Sequence, residues 1–148
     1  MSGFTTLLVD RILQMVETWA KTQPEIYAAA LVGSWARGQA KVDSDIDLMF
    51  LTPNPQLFFS TPDWFYYLPW HELELEVTDY YDRTYGVVKS RHICFDRRQR
   101  IEFSFGYTNW ANIKPIDPGT CKVVSSGLRI IYDPHLLLTI LVTTIGRV

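Results

Sequence analysis

The stretch Asp45-Ile46-Asp47-Leu48-Met49-Phe50-Leu51 constrains this chain more than any other. Residues 45–51 read as a strand, in which alternate side chains share a face. Asp45 and Asp47 therefore point the same way, roughly 7 Å apart along the chain. Met49 and Leu51 continue that face, while Ile46, Leu48 and Phe50 fill the other. A strand apolar on both sides beyond its mouth belongs in the middle of a covered sheet. Two carboxylates at the mouth of a core repel each other and lose solvation. One is driven toward protonation unless a cation neutralises both. A hard divalent ion such as Mg²⁺ meets that need, because it takes oxygen ligands and favours one or two carboxylates plus substrate phosphates.

The residues just upstream add a second element. Residues 26–32 are apolar throughout and read as a buried strand that stops at Gly33-Ser34. Ser34 can cap a short helix through Trp35, Ala36 and Arg37. A strand that runs into a helix start presents backbone N–H groups and a hydroxyl to an anion. Gly33 removes the side chain that would block a phosphate, and Gly38 lets the return loop turn. This is not a Walker A loop, since no Gly-Lys-Ser/Thr follows. A phosphate cradle beside a metal-binding pair suits chemistry on a metal-chelated nucleoside triphosphate.

Around this unit the periodicity predicts an α+β fold, a mixed sheet with helices packed against it. Leu8, Ile12, Met15, Val16 and Trp19 recur at helical spacing in residues 5–21, and Pro24 closes that helix. Thr61 with Pro62 suggests the start of a short helix. Glu72-Leu73-Glu74-Leu75-Glu76-Val77 alternates strictly and predicts a strand with one wet face. Residues 86–95 and 100–105 predict two strands joined into a hairpin by Asp96-Arg97-Arg98-Gln99. Residues 129–132 read as a last strand, and Asp133-Pro134 opens a helix through about Val142. One domain over residues 1–148 is the expectation for this length.

Composition excludes several classes. With 47% hydrophobic and 20% charged residues the chain is neither disordered nor a coiled coil. Fourteen basic residues stand against sixteen acidic ones, so long nucleic acid is not the expected partner. Cys94 and Cys121 form no zinc spacing, and the Met-Ser-Gly-Phe start does not read as a signal peptide. The apolar run from Leu136 to Val142 is too short to cross a bilayer. A reducing cytoplasm is the expected setting, with no membrane partner.

Gly33-Ser34, Arg37-Gly38 and Ser44-Asp45-Ile46-Asp47 resemble the signature of the nucleotidyltransferase superfamily. The resemblance implies Mg²⁺, as one ion or two, held by Asp45 and Asp47. It implies ATP as the substrate, with phosphate contacts from Gly33, Ser34, Arg37 and Ser44. Transfer of AMP to an acceptor hydroxyl would release pyrophosphate. The family pattern has a third carboxylate on a later, neighbouring strand. Glu102 is the best position for it, because Ile101, Phe103 and Phe105 turn the other way. Its rivals Glu72, Glu74 and Glu76 alternate like a solvated face. Minimal members of the family act as antitoxins on a helical protein partner, which is the alternative reading. A nucleotide-binding module without catalysis is a third, and a homodimer is open. The acceptor is not legible in the motif.

Other residues carry two readings each. Arg37 either contacts phosphate or pairs with an acidic neighbour. Lys89 and Arg91 share a strand face and either hold the triphosphate or decorate a solvated edge. Arg97, Arg98 and Arg100 suggest a soluble hairpin tip. His71, His92 and His135 show no metal-ligand spacing. Trp35 and Trp110 either stack on a base or pack. A second subunit, or the aromatic-rich stretch from Trp64 to Trp70, is expected to shape the acceptor pocket, in the absence of a helical substrate domain.

Overall fold

Strand β1, Ala28–Val32, and strand β2, Ile46–Thr52, form the centre of the molecule and lie antiparallel. Between them comes one helical turn, α2, Gly33–Ala36. A computed structural model describes residues 3–41, 43–61, 63–96 and 99–146. Helix α1, Thr6–Lys21, precedes β1, and the turn α3, Leu57–Ser60, follows β2. Then come β3, Val77–Tyr85, β4, Val88–Phe95, and β5, Arg100–Tyr107. Helix α4, Pro118–Ser126, strand β6, Arg129–Tyr132, and helix α5, Leu137–Gly146, complete the order. The six strands make one sheet in the order β3-β4-β5-β2-β1-β6. Every neighbouring pair is antiparallel except β2 and β5, which run parallel.

The two faces of the sheet are covered differently. One carries α1 and an aromatic core: Phe50 stacks on Phe103 with ring centres 5.5 Å apart, and Phe58 on Phe105 at 4.5 Å. Thr5 caps α1 by accepting a hydrogen bond from the Leu8 amide, and Val9, Ile12, Leu13, Val16 and Ala20 are its buried stripe. The other face carries Ala28, Ala30, Met49 and Leu51 against Val124 of α4 and Leu138 and Leu141 of α5. That second cover spans only part of the sheet, and the uncovered part holds the carboxylates.

Several expectations are corrected. Residues 72–76 are not a strand: Trp70–Leu73 form a 3-10 turn, and Glu74 takes a left-handed conformation with φ 56°. The alternation of burial is real, since Leu73 and Leu75 are buried and the three glutamates exposed, but a turn produces it. The strand lies just beyond, in β3, and its hairpin to β4 turns at Gly86 with φ +62°. The hairpin of β4 with β5 is present, and Phe95 donates its amide to the Gln99 carbonyl at 2.9 Å. Arg97 and Arg98 lie outside the described residues, as does Pro62. Thr61 ends α3 rather than starting a helix. Ser34 does not cap α2 either: the helical turn begins at Gly33, and Ser34 sits inside it. Helix α4 was not expected; Asp117 caps it by accepting from the Thr120 amide at 3.0 Å, with Pro118 in its first turn. Helix α5 starts later than read, because Asp133 accepts from the Leu138 and Thr139 amides across the turn.

Candidate active site

Parallel pairing of β2 with β5 puts Asp47 beside Glu102 on one rung. Both leave the sheet on the partly covered face, in line with Met49 and Ser104. Their carboxyl groups lie within hydrogen-bonding reach of each other. Burial is the main cause of a rise in the Asp47 pKa from 3.8 to about 7. The charge of Glu102, the hydrogen bond to it and the charge of Asp45 add to the rise, and Arg37 opposes it. The third carboxylate expected at Glu102 thus lies next to Asp47, while Glu72, Glu74 and Glu76 are not in this cluster.

The turn from β1 into α2 makes room for this pair. Gly33 has φ +75°, and a Cβ built there would overlap Oδ2 of Asp47. Only glycine meets both demands. Ser34 and Arg37 follow on α2 and its end, and with Asp45, Asp47 and Glu102 they line an open cleft of about 480 Å³. Arg37 donates from Nε to Gln39 Oε1 at 3.3 Å and is exposed. Ser44 lines the same cleft, but its hydroxyl accepts from the Lys41 amide at 2.7 Å and so holds the approach to β2.

Asp45 stands just before β2. Arg100 donates from Nε to Asp45 Oδ1 at 3.2 Å and from Nη1 to the Tyr81 hydroxyl at 3.2 Å. The charge of Asp45 raises the pKa of Arg100. Arg100 is therefore part of the site's wall rather than a free hairpin-tip cation.

Lys89 and Arg91 are not brought to the site. Register pairs Lys89 with Phe105 and Arg91 with Phe103, whereas His92 pairs with Glu102. Neighbouring residues on a strand face opposite ways, so Lys89 and Arg91 project through the sheet from the carboxylates. Lys89 lies 4.5 Å over the Phe59 ring. Arg91 is 1% exposed, donates twice to Asp82 at 2.8 and 3.0 Å, and sits over Tyr80 and Phe65. The Trp64 to Trp70 stretch is on that same far face, where Trp64 packs on Trp19 and Phe103. It cannot shape a pocket opposite Asp47. Trp35 donates its indole N–H to the Ser44 carbonyl at 3.4 Å, and Trp110 packs beside the α4–α5 core.

One residue the sequence reading missed is Lys122. It lies on α4 and lines a second cleft, of about 360 Å³, that shares Gly33, Arg37, Asp47 and Glu102 with the first. The signal that could have found it was Asp117-Pro118, a helix start of the same kind as Asp133-Pro134.

Among the described residues no three His, Cys, Asp or Glu side chains converge as a ready-made metal cage. The donor chemistry nonetheless fits a hard divalent ion. Asp47 and Glu102 are hard oxygen donors side by side, with Asp45 nearby, and burial and mutual repulsion raise the Asp47 pKa, a cost that a cation would relieve. Gly33 leaves the space that Oδ2 of Asp47 occupies.

The carboxylates thus stand on adjacent parallel strands, opposite the strand–glycine–helix turn at Gly33. The family model for the nucleotidyltransferase domain matches residues 12–112, more than half of the chain. The chain belongs to this family. The matched stretch contains Gly33, Ser34, Asp45, Asp47 and Glu102, and it ends before α4 and Lys122. A comparison with curated proteins returns no match. Among the described residues no helix is long and apolar enough to cross a membrane.

Proposed function

We propose that this protein, read as one domain over residues 1–148, transfers AMP from ATP to an acceptor hydroxyl, with Mg²⁺ as the metal. The observation that carries the reading is the Asp47–Glu102 pair, buried enough to raise the Asp47 pKa to about 7 and set against Gly33. Asp45, Asp47 and Glu102 are the residues that would hold the metal. When bound, it would neutralise the carboxylates and polarise the phosphoryl oxygens.

The chain's own residues account for the rest of the chemistry. Arg37 and Lys122 put positive charge beside the carboxylates in the cleft under α4, which suits a triphosphate. Ser34 adds a hydroxyl on the β1–α2 side. The acceptor oxygen forms a bond to the α-phosphorus, the bond from that phosphorus to the β-phosphate oxygen breaks, and pyrophosphate leaves. Glu102 takes the hydroxyl proton, which requires it to be ionised at the moment of attack.

Incubation with α-labelled ATP, Mg²⁺ and a panel of hydroxyl acceptors tests the reading. Label should move to an acceptor and pyrophosphate should appear. Transfer that persists at the native rate in both Asp47→Asn and Glu102→Gln would refute the assignment.

A further inference from the structure

The histidine on the rung beside Glu102 is not explained by the fold. His92 is 6% exposed, and its ring stacks on Tyr81 with centres 4.6 Å apart and planes within 8°. Its Nε2 is 3.3 Å from the Tyr85 hydroxyl. Its Nδ1 is buried and, among the described residues, has no hydrogen-bond partner. A buried nitrogen left unpaired costs desolvation and asks for a reason. Oε2 of Glu102 lies 3.9 Å from it.

The surroundings of Glu102 supply the reason. Its Oε1 accepts from the Ser104 hydroxyl at 3.1 Å, and Ser104 is tied to Ser90 at 2.6 Å. One carboxylate oxygen is thereby fixed. The carboxyl group also shares a hydrogen bond with Asp47. Asp45, Asp47 and Glu102 would hold a divalent ion, whose charge would remove the need for that bond, and the Glu102 carboxylate could then turn. A shift of about 1 Å would then bring Oε2 into N–H···O range of Nδ1.

We propose that His92 and Tyr85 are positioning residues for Glu102. Tyr85 donates its hydroxyl to Nε2, which leaves the ring proton on Nδ1, and Nδ1–H takes Oε2 of Glu102 when that carboxylate leaves Asp47. Held by Ser104 at one oxygen and His92 at the other, Glu102 presents a single orientation to the acceptor hydroxyl. The inference deepens the function proposed above and rests on it, because it assigns a purpose to the working orientation of Glu102.

The tautomer tests it without any activity. In ¹⁵N-histidine-labelled protein, free of metal and nucleotide, His92 should carry its proton on Nδ1 and leave Nε2 bare. Tyr85→Phe, a change at a 53% exposed ring that should not disturb folding, should shift His92 toward the Nε2–H form. A native His92 with its proton on Nε2 overturns the proposal.

Kinetics give the second arm, read as pyrophosphate release from Mg²⁺–ATP with glycerol supplied as a simple hydroxyl acceptor. His92→Leu should lower kcat about 10- to 100-fold and leave KM for ATP unchanged. His92→Asn, whose amide nitrogen can stand in for Nδ1, should restore most of the rate. A folded His92→Leu variant with native kcat overturns the proposal. A native protein that releases no pyrophosphate with any acceptor instead counts against the proposed function, and the tautomer then decides the His92–Glu102 contact by itself.

Discussion

Asp47 and Glu102 share a rung of β2 and β5, the only parallel strand pair among the described residues, with their carboxyl groups in hydrogen-bonding reach of each other. Two partly buried acids side by side repel each other when both are ionised. Burial, with the neighbouring Glu102, pushes the Asp47 pKa up to about 7.

Asp47 ionises near 3.8 in an unfolded chain and near 7 in the folded one. Between those values the folded state keeps a proton that the unfolded chain releases. The stability from this group is complete below about pH 4 and is lost as pH rises through about 7. Asp47→Asn removes that loss. Without metal, the variant should gain on the native protein by an amount on the order of a few kcal/mol between about pH 4 and pH 8. Urea midpoints in chelator, at a series of pH values, check this, and parallel curves for the two proteins would contradict it. Above pH 7, Mg²⁺ should raise the midpoint of the native protein and not of the variant.

Gly33→Ala should be damaging for two reasons at one atom. The backbone is left-handed there, and the new methyl group overlaps Oδ2 of Asp47. The left-handed geometry alone costs about 1–2 kcal/mol. Chemical denaturation should show at least that loss, with nucleotide transfer reduced further because Asp47 is displaced. Gly38→Ala, where φ is also positive but the added Cβ meets no atom, should lose the backbone share alone and keep its activity.

Arg91 should prove a structural cation. Arg91→Met leaves Asp82 without its partner, at a cost of about 2–3 kcal/mol, softened because Asp82 is 32% exposed. KM for ATP should not change in the folded fraction, nor in Lys89→Ala. A severalfold rise in KM for either variant would put these residues back at the nucleotide.

Lys122 should behave in the opposite way. It is exposed on α4, so Lys122→Ala should alter stability by no more than about 0.5 kcal/mol. Loss of one charge-assisted contact should raise KM for ATP about tenfold. Equal KM values for the variant and the native protein would remove Lys122 from the site.

Much of this arrangement was readable in the residues themselves. Strand periodicity put Asp45 and Asp47 together and set Glu102 apart from Ile101 and Phe103, because alternation is a local property of an extended backbone. The Gly33-Ser34 and Asp-x-Asp spacing led to the family, and α1 was written in its apolar stripe. Alternation also showed that Lys89 and Arg91 share a face. It could not say which face, because that sign is set only by pairing across strands: Phe103 opposite Arg91, Glu102 opposite His92. The same limit misled the reading of residues 72–77, where a left-handed Glu74 reproduces strand-like burial inside a turn. Packing likewise sent the Trp64 to Trp70 aromatics to the far side of the sheet and carried Lys122 to the carboxylates. The sequence by itself determined the fold class and the acids beside the Gly33 turn, all encoded over short range. Tertiary structure alone decided which cations and rings stand near them, because that depends on register and layer, the product of contacts between segments far apart in the chain.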